Sequence, residues 1–172
     1  SLSGERLHLN LDAITGEITF LRVLWDVEGS VLTNPEAPAA PPLGLAGTSL
    51  TLRFDPKTGQ ATDLDLRGTS QTPAFVHQQQ EDGSLLEVRT VSLTGSFRSG
   101  ILSHTALDGK VRMSQLSGNE ARSARTVSGA RGETRFSLQG EAIGFTIEGN
   151  VKIWDGDLVA TADRALIDSE EG

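Results

Sequence analysis

Residues 145–153 read Phe-Thr-Ile-Glu-Gly-Asn-Val-Lys-Ile, and this stretch decides the fold class. Phe145, Ile147, Val151 and Ile153 share one parity, while Thr146, Glu148, Asn150 and Lys152 share the other. Successive side chains of a β-strand point to opposite faces, so this order puts apolar groups on one face and polar groups on the other. The pattern recurs. Leu50, Leu52 and Phe54 alternate with Ser49, Thr51, Arg53 and Asp55, and Leu64 and Leu66 alternate with Asp63, Asp65 and Arg67. Near the start, Leu7, Leu9, Leu11 and Ala13 alternate with His8, Asn10 and Asp12. Repeated half-buried strands of this kind predict an all-β, antiparallel protein.

Turn signals fall between these segments, at Asp55-Pro56-Lys57-Thr58-Gly59, Glu81-Asp82-Gly83-Ser84, Asp108-Gly109 and Asp155-Gly156. Asp-Gly suits a type I′ turn, whose two central residues need positive φ, so Asp108-Gly109 and Asp155-Gly156 are the predicted hairpin tips. Residues 35–42 hold four of the six prolines and read as a loop, because proline cannot donate to a strand ladder. Helix has two weak candidates, 119–125 and 158–167, and both read better as strand beside so consistent a β pattern. An apolar-x-apolar-x-Gly unit repeats at Gly68, Gly95 and Gly140, with a shorter form at Gly149. Stacked hairpins or solenoid rungs would produce it, with a bend or bulge at each glycine.

The chain of 172 residues carries 15 Lys and Arg against 23 Asp and Glu, a formal charge of -8. That balance argues against nucleic acid as a partner, whose phosphates it repels. Arg122, Arg125 and Arg131 are the candidates for a local basic patch. Glycine is enriched at 19 residues, and cysteine is absent, which removes thiol nucleophiles, disulfides and thiolate metal sites. No apolar run approaches the ~18 residues of a membrane-spanning helix. No stretch reads as a signal peptide, and Ser1-Leu2-Ser3 reads as a trimmed beginning. The sequence offers no catalytic constellation, no metal set and no cofactor motif. His8, His77 and His104 stand apart, and Asp63 with Asp65 reads as a solvated outer face. The run Gln78-Gln79-Gln80-Glu81-Asp82 reads as a polar loop, and Trp25 and Trp154 as core or rim aromatics.

What remains is the apolar face. Alternation sets Leu52, Phe54, Leu66, Phe136, Leu138, Phe145, Ile147, Val151 and Ile153 along one continuous interior, with Arg53, Asp65, Glu148 and Lys152 facing water. Two readings are open at this point: a closed core, or a groove that hosts lipid acyl chains.

The last forty or so residues carry a resemblance. Ala130-Arg131-Gly132-Glu133, then 136–140, then Ile147-Glu148-Gly149-Asn150-Val151-Lys152-Ile153, then 158–168 with its Ala162-Asp163-Arg164-Ala165, together resemble one repeat of the OstA-like family. These are lipopolysaccharide-transport proteins of the LptA and LptC type, and residues 50–68 look like another copy. Tyrosine, frequent in that repeat, is absent, and Phe136 and Leu166 stand near such places. The resemblance implies a jelly roll open along one side like a folded taco, formed by residues 1–172 as one domain. It further implies a non-catalytic periplasmic protein without cofactor, with or without an inner-membrane anchor. Acyl chains of lipopolysaccharide or a related glycolipid would lie in the groove formed by the nine residues above. Other OstA-like domains would join through edge strands. The rival readings are a structural or adhesive β-solenoid or sandwich with a closed core, and a polysaccharide-active or polysaccharide-binding β-domain. The 5% aromatic content speaks against the last.

Overall fold

The computed structural model describes residues 1–33, 42–80, 83–116 and 125–168. These form twelve strands: β1 (Leu2–Ser3), β2 (Arg6–Leu11), β3 (Ile18–Val31), β4 (Leu43–Phe54), β5 (Ala61–Arg67), β6 (Ala74–Gln79), β7 (Leu85–Thr90), β8 (Ser92–Arg98), β9 (Ile101–Leu116), β10 (Arg125–Phe136), β11 (Ala142–Asp155) and β12 (Leu158–Asp168). They belong to one sheet, and no helix occurs among the described residues. Residues 158–167 are strand, as the surrounding pattern favoured. The proline-rich loop and the 119–125 segment lie outside the described residues, except Pro42 and Arg125, as do Glu81 and Asp82.

The main path runs β1-β3-β4-β5-β8-β9-β10-β11-β12, with β2 also on β3, and β6 and β7 bridging from β4 to β9. The two long strands explain this. β4 and β9 have 12 and 16 residues, about twice their inner partners, so each holds two partners end to end along one edge. Residues 49–54 of β4 pair with β5, and residues 44–46 pair with β6. Likewise β9 pairs with β8 through 101–108 and with β7 through 112–116. With β5 on β8 and β6 on β7, hydrogen bonding closes a circuit of six strands. Here the structure departs from the open, taco-like form: the middle of the chain is closed by its own ladder.

The chain does reverse between β11 and β12, but one residue later than the dipeptide predicts. Asp155 is the last residue of β11, opposite Leu158, the tip is Gly156-Asp157, and of these Gly156 takes positive φ, 59°. Asp108-Gly109 is not a tip at all. It lies inside β9, where Gly109 and Lys110 take φ of 82° and 57°. A bulge uses the same left-handed residues as a turn. This one sits where β9 exchanges β8 for β7, with the Val91 N–H donating to the Gly109 carbonyl at 3.0 Å. A Cβ on Gly109 would lie 2.9 Å from the Val91 Cβ, so the close approach also requires glycine. The glycine repeat does not mark one structural position either: Gly95 is inside β8, Gly140 in a turn and Gly149 in a bulge of β11.

Two turns share one construction. Asp12-Ala13-Ile14-Thr15-Gly16-Glu17 and Asp55-Pro56-Lys57-Thr58-Gly59-Gln60 both place an aspartate carboxylate over the next backbone N–H groups. In each, the threonine hydroxyl then accepts from the residue after the glycine. Side-chain acceptors of this kind replace a ladder where the chain reverses, so β2 ends at Leu11 and Ala13 is in the turn.

Candidate functional site: an apolar interior

The buried side chains form one cluster drawn from both ends of the chain, from Val23 and Val27 of β3 to Ala165 of β12. Leu52, Leu66, Phe145, Ile147 and Val151 are buried in it, and Phe54, Phe136 and Ile153 pack against it. Register explains the union. Leu52 faces Leu64 and Leu50 faces Leu66 across β4 and β5, while Val127 faces Ile153 across β10 and β11. Arg53 and Lys152 are exposed and Asp65 and Glu148 half-buried, on the other parity.

Leu138 is a correction. It stands 74% exposed, because β10 ends at Phe136 and residues 137–141 form a turn closed by Ser137 N–H to Glu141 O at 2.8 Å. Alternation stops with the strand. The sequence reading also missed much of the interior: Leu45, Val76, Val88, Leu93, Leu102, Leu107, Val111 and Met113. In β9 the buried set Leu102, Thr105, Leu107 changes parity, so simple alternation does not reveal it.

Within the circuit the interior is tightly filled. A void of about 20 Å³ lies among Leu43, Val76, Val88, Leu93, Leu107 and Phe136, room for about one water molecule. A pocket of about 110 Å³ opens beside it, sharing Leu86 and Ala142 and lined also by Met113, Phe145 and Ile167, with Gln80, Gln115 and Arg125 as polar lining. Gln78 closes this end. It belongs to β6, not to a polar loop, and is 1% exposed. Its Nε2 donates to the Gly140 carbonyl at 3.0 Å, and its Oε1 accepts from the Ala142 N–H at 3.4 Å.

At the opposite flank the apolar face is uncovered. Leu7 and Leu9 lie opposite Val23 and Leu21 in the β2–β3 ladder, hence on the same face as those inward residues. Leu7, Leu9 and Leu11 are nevertheless 58%, 48% and 60% exposed, because among the described residues no second layer covers β2. The interior face therefore runs out to solvent at the β2 edge.

The other polar candidates serve local structure. Asp65 accepts two hydrogen bonds from Arg67, at 2.6 and 2.8 Å, and this pairing raises the Arg67 pKa, through the hydrogen bond first and the charge second. His77 stacks on Phe75 with ring centres 5.4 Å apart. His104 lies 3.7 Å from Glu133, and Arg125 pairs with Asp155 at 2.9 Å. Neither tryptophan is in the core. Trp25 is exposed with the Arg6 guanidinium 4.9 Å from its ring centre, and Trp154 lies on the outer face of β11. Among the described residues no group of three or more His, Cys, Asp or Glu is placed to hold a metal ion.

Strand order and ladder define an all-β protein, one twelve-stranded antiparallel sheet closed on itself in a six-strand circuit. The chain is similar to a crystal structure of LptH, described as the LptA homologous periplasmic component of the conserved lipopolysaccharide transport device from Pseudomonas aeruginosa. The match has 14% identity and a TM-score of 0.55, and covers 97% of this chain and 92% of that one. The likeness is one of fold, and it agrees with the OstA-like resemblance of the sequence. No family model and no curated protein matches the chain.

Proposed function

We propose that this chain is a non-catalytic carrier of lipopolysaccharide or a related glycolipid in the periplasm, holding acyl chains against its apolar interior. One observation carries this reading: the inward face continues without cover onto Leu7, Leu9 and Leu11 of β2. Burying each CH₂ of a chain there would contribute about 0.8 kcal/mol. The fold shared with LptH over nearly the whole chain supports the same assignment. Entry into the six-strand circuit itself requires it to open, and the β4–β6 seam, with three paired residues, is its shortest ladder. Leu158, Val159 and Leu166 are exposed on β12, the far edge. An uncovered apolar edge is a hazard unless it is used, so β2 and β12 are the edges through which further OstA-like domains would join.

The closed circuit and its small void favour a second reading, a structural sandwich with a sealed core. One experiment separates the two. A photo-crosslinking residue at Leu9 or Phe145, in protein purified from a Gram-negative host, should capture an acylated lipid, and the same probe at Arg53 or Glu148 should not. Equal capture from both faces, or none from either with the fold intact, leaves the sealed sandwich as the better account.

A further inference from the structure

The outer face of the C-terminal strands is folded along a crease. β9 and β11 each carry one residue more than their neighbours: 108 to 111 spans 131 to 129 of β10, and 148 to 151 spans 164 to 162 of β12. The extra residues sit at positive φ, Gly109 and Lys110 in one strand, Gly149 and Asn150 (82° and 52°) in the other. Bulges bend a strand and increase its twist. Both flank β10 near Ala130, and over this bend lies a cleft of about 730 Å³. Small residues of β10, Thr126, Ser128 and Ala130, line it along the middle, and longer side chains of β9 and β11 line its two sides.

Its charge comes from one cross-strand row. Arg112 pairs with Ser128, and Ser128 pairs with Lys152, so two cations stand on either side of a hydroxyl across roughly 10 Å, two strand spacings. Lys110 adds a third cation at the crease, and among the described residues no carboxylate lines the cleft. Among the described residues no ion pair or hydrogen bond engages the Lys110, Arg112 or Lys152 side chains. Two nearby acids are engaged elsewhere, Asp155 with Arg125 and Glu148 with Arg164 at 3.2 Å, and Asp108 lines the neighbouring hollow with Arg131. Arg112 also lines a second hollow on its other side, shared with Glu87, Arg89 and Ser114, where Arg89 is its partner in the ladder. A chain of net charge -8 thus gathers three unpaired cations on one surface. Trp154, 36% exposed, adds a flat aromatic face to the same cleft.

We infer that this cleft binds a phosphorylated sugar. Arg112, Lys152 and Lys110 would hold phosphate oxygens, the guanidinium in two-pronged fashion. Trp154 offers a surface for the apolar face of a sugar ring, and Ser128 and Asn150 offer partners for its hydroxyls. The volume falls in the range of small-ligand sites, far above what a lone phosphate fills. The site lies on the face opposite the apolar interior and is independent of lipid capture.

The test is an NMR titration of amide and indole N–H signals with fructose 1,6-bisphosphate, inorganic phosphate and fructose in parallel. The bisphosphate should shift the amides of Ser128, Gly129, Gly149 and Asn150 together with the Trp154 indole. Fructose should shift none of them, and phosphate should bind at least about tenfold more weakly without moving the indole. Arg112→Glu and Lys152→Glu, both at exposed positions, should each lower bisphosphate affinity about tenfold or more with an unchanged melting temperature. Equal affinity for phosphate and bisphosphate with a still indole overturns the sugar in favour of a free anion. No shift at these amides, or unchanged affinity in both variants, overturns the site. None of these ligands carries an acyl chain, so the outcome is separate from that of the crosslinking experiment.

Discussion

Gln78 donates from its side-chain amide to the backbone carbonyl of Gly140, 62 residues further along the chain, at 3.0 Å and out of contact with water. One side chain thereby ties β6, at the short seam of the six-strand circuit, to the turn between β10 and β11.

Removing that tie should be costly for its size. Gln78→Ala strips a partner from the Gly140 carbonyl and from the Ala142 N–H, both at buried positions. A buried polar group left without its partner costs about 1–3 kcal/mol. The midpoint of urea unfolding should fall accordingly, with the slope unchanged. A shift within error would mean that water replaces the amide.

Whether the circuit opens for cargo can be tested by locking it. The chain has no cysteine, so an introduced pair is unambiguous. Ala46 and Phe75 are partners in the β4–β6 ladder, and antiparallel partners lie about 4.5–5.5 Å apart at Cα, within disulfide reach. In Ala46→Cys/Phe75→Cys protein, lipid capture at Leu93, inside the circuit, should drop on oxidation and return on reduction, while capture at Leu9 should persist. Undiminished capture at Leu93 in the locked form would show that cargo reaches it without parting this seam.

Ile147 and Leu138 should separate core from surface. Ile147 is fully buried and Leu138 stands out in a turn. Ile147→Ala should cost about 2–5 kcal/mol, and Leu138→Ala should stay within about 0.5 kcal/mol. Thermal and urea unfolding of the two variants measure the contrast directly.

The turn after β2 predicts a small acid sensitivity. The Thr15 and Ile14 backbone N–H groups donate to Asp12, at 2.9 and 2.8 Å, and hold its carboxyl below the usual value of 3.8. A depressed folded pKa contributes stability above the unfolded value and loses it as pH falls through the folded one. Asp12→Ala should therefore lower the melting temperature at neutral pH, and the gap to the parent should close as pH drops below about 4. A gap that stays constant down to strong acid would assign the effect to backbone conformation, not to the charge.

The two Asp-Gly dipeptides show where local reading ends. In both the glycine takes the left-handed backbone that a reversal needs, yet only the second lies in a chain reversal, at Gly156-Asp157. At 108–109 the flanking segments find different partners, β8 and β7, on the same edge, and the strand runs on through a bulge. Partner choice is a long-range matter that no dipeptide encodes. Gln78 is similar: its neighbours in sequence are polar, and only the turn at 137–141 packing over it makes it an interior residue.

Alternation by itself determined the all-β class and which face is apolar in the regular strands, such as β4, β5 and β11. The 145–153 stretch kept its parity even through a bulge, since Ile147 and Val151 stand four residues apart and both face inward. Parity follows from the backbone and holds only where the ladder lets it: in β9 the buried set switches parity between Leu102 and Thr105, beside the irregularity in its pairing with β8. Tertiary structure decided what those faces meet. Arg122, Arg125 and Arg131 are close in sequence, but Arg122 lies outside the described residues and Arg125 is held by Asp155. The cationic cleft instead collects Lys110, Arg112 and Lys152 from two strands separated by β10. Closure in the middle and exposure at Leu7, Leu9 and Leu11 follow from the same cause. The lengths of β4 and β9 set how many partners each edge can hold, and β2 lies beyond the last strand that is covered.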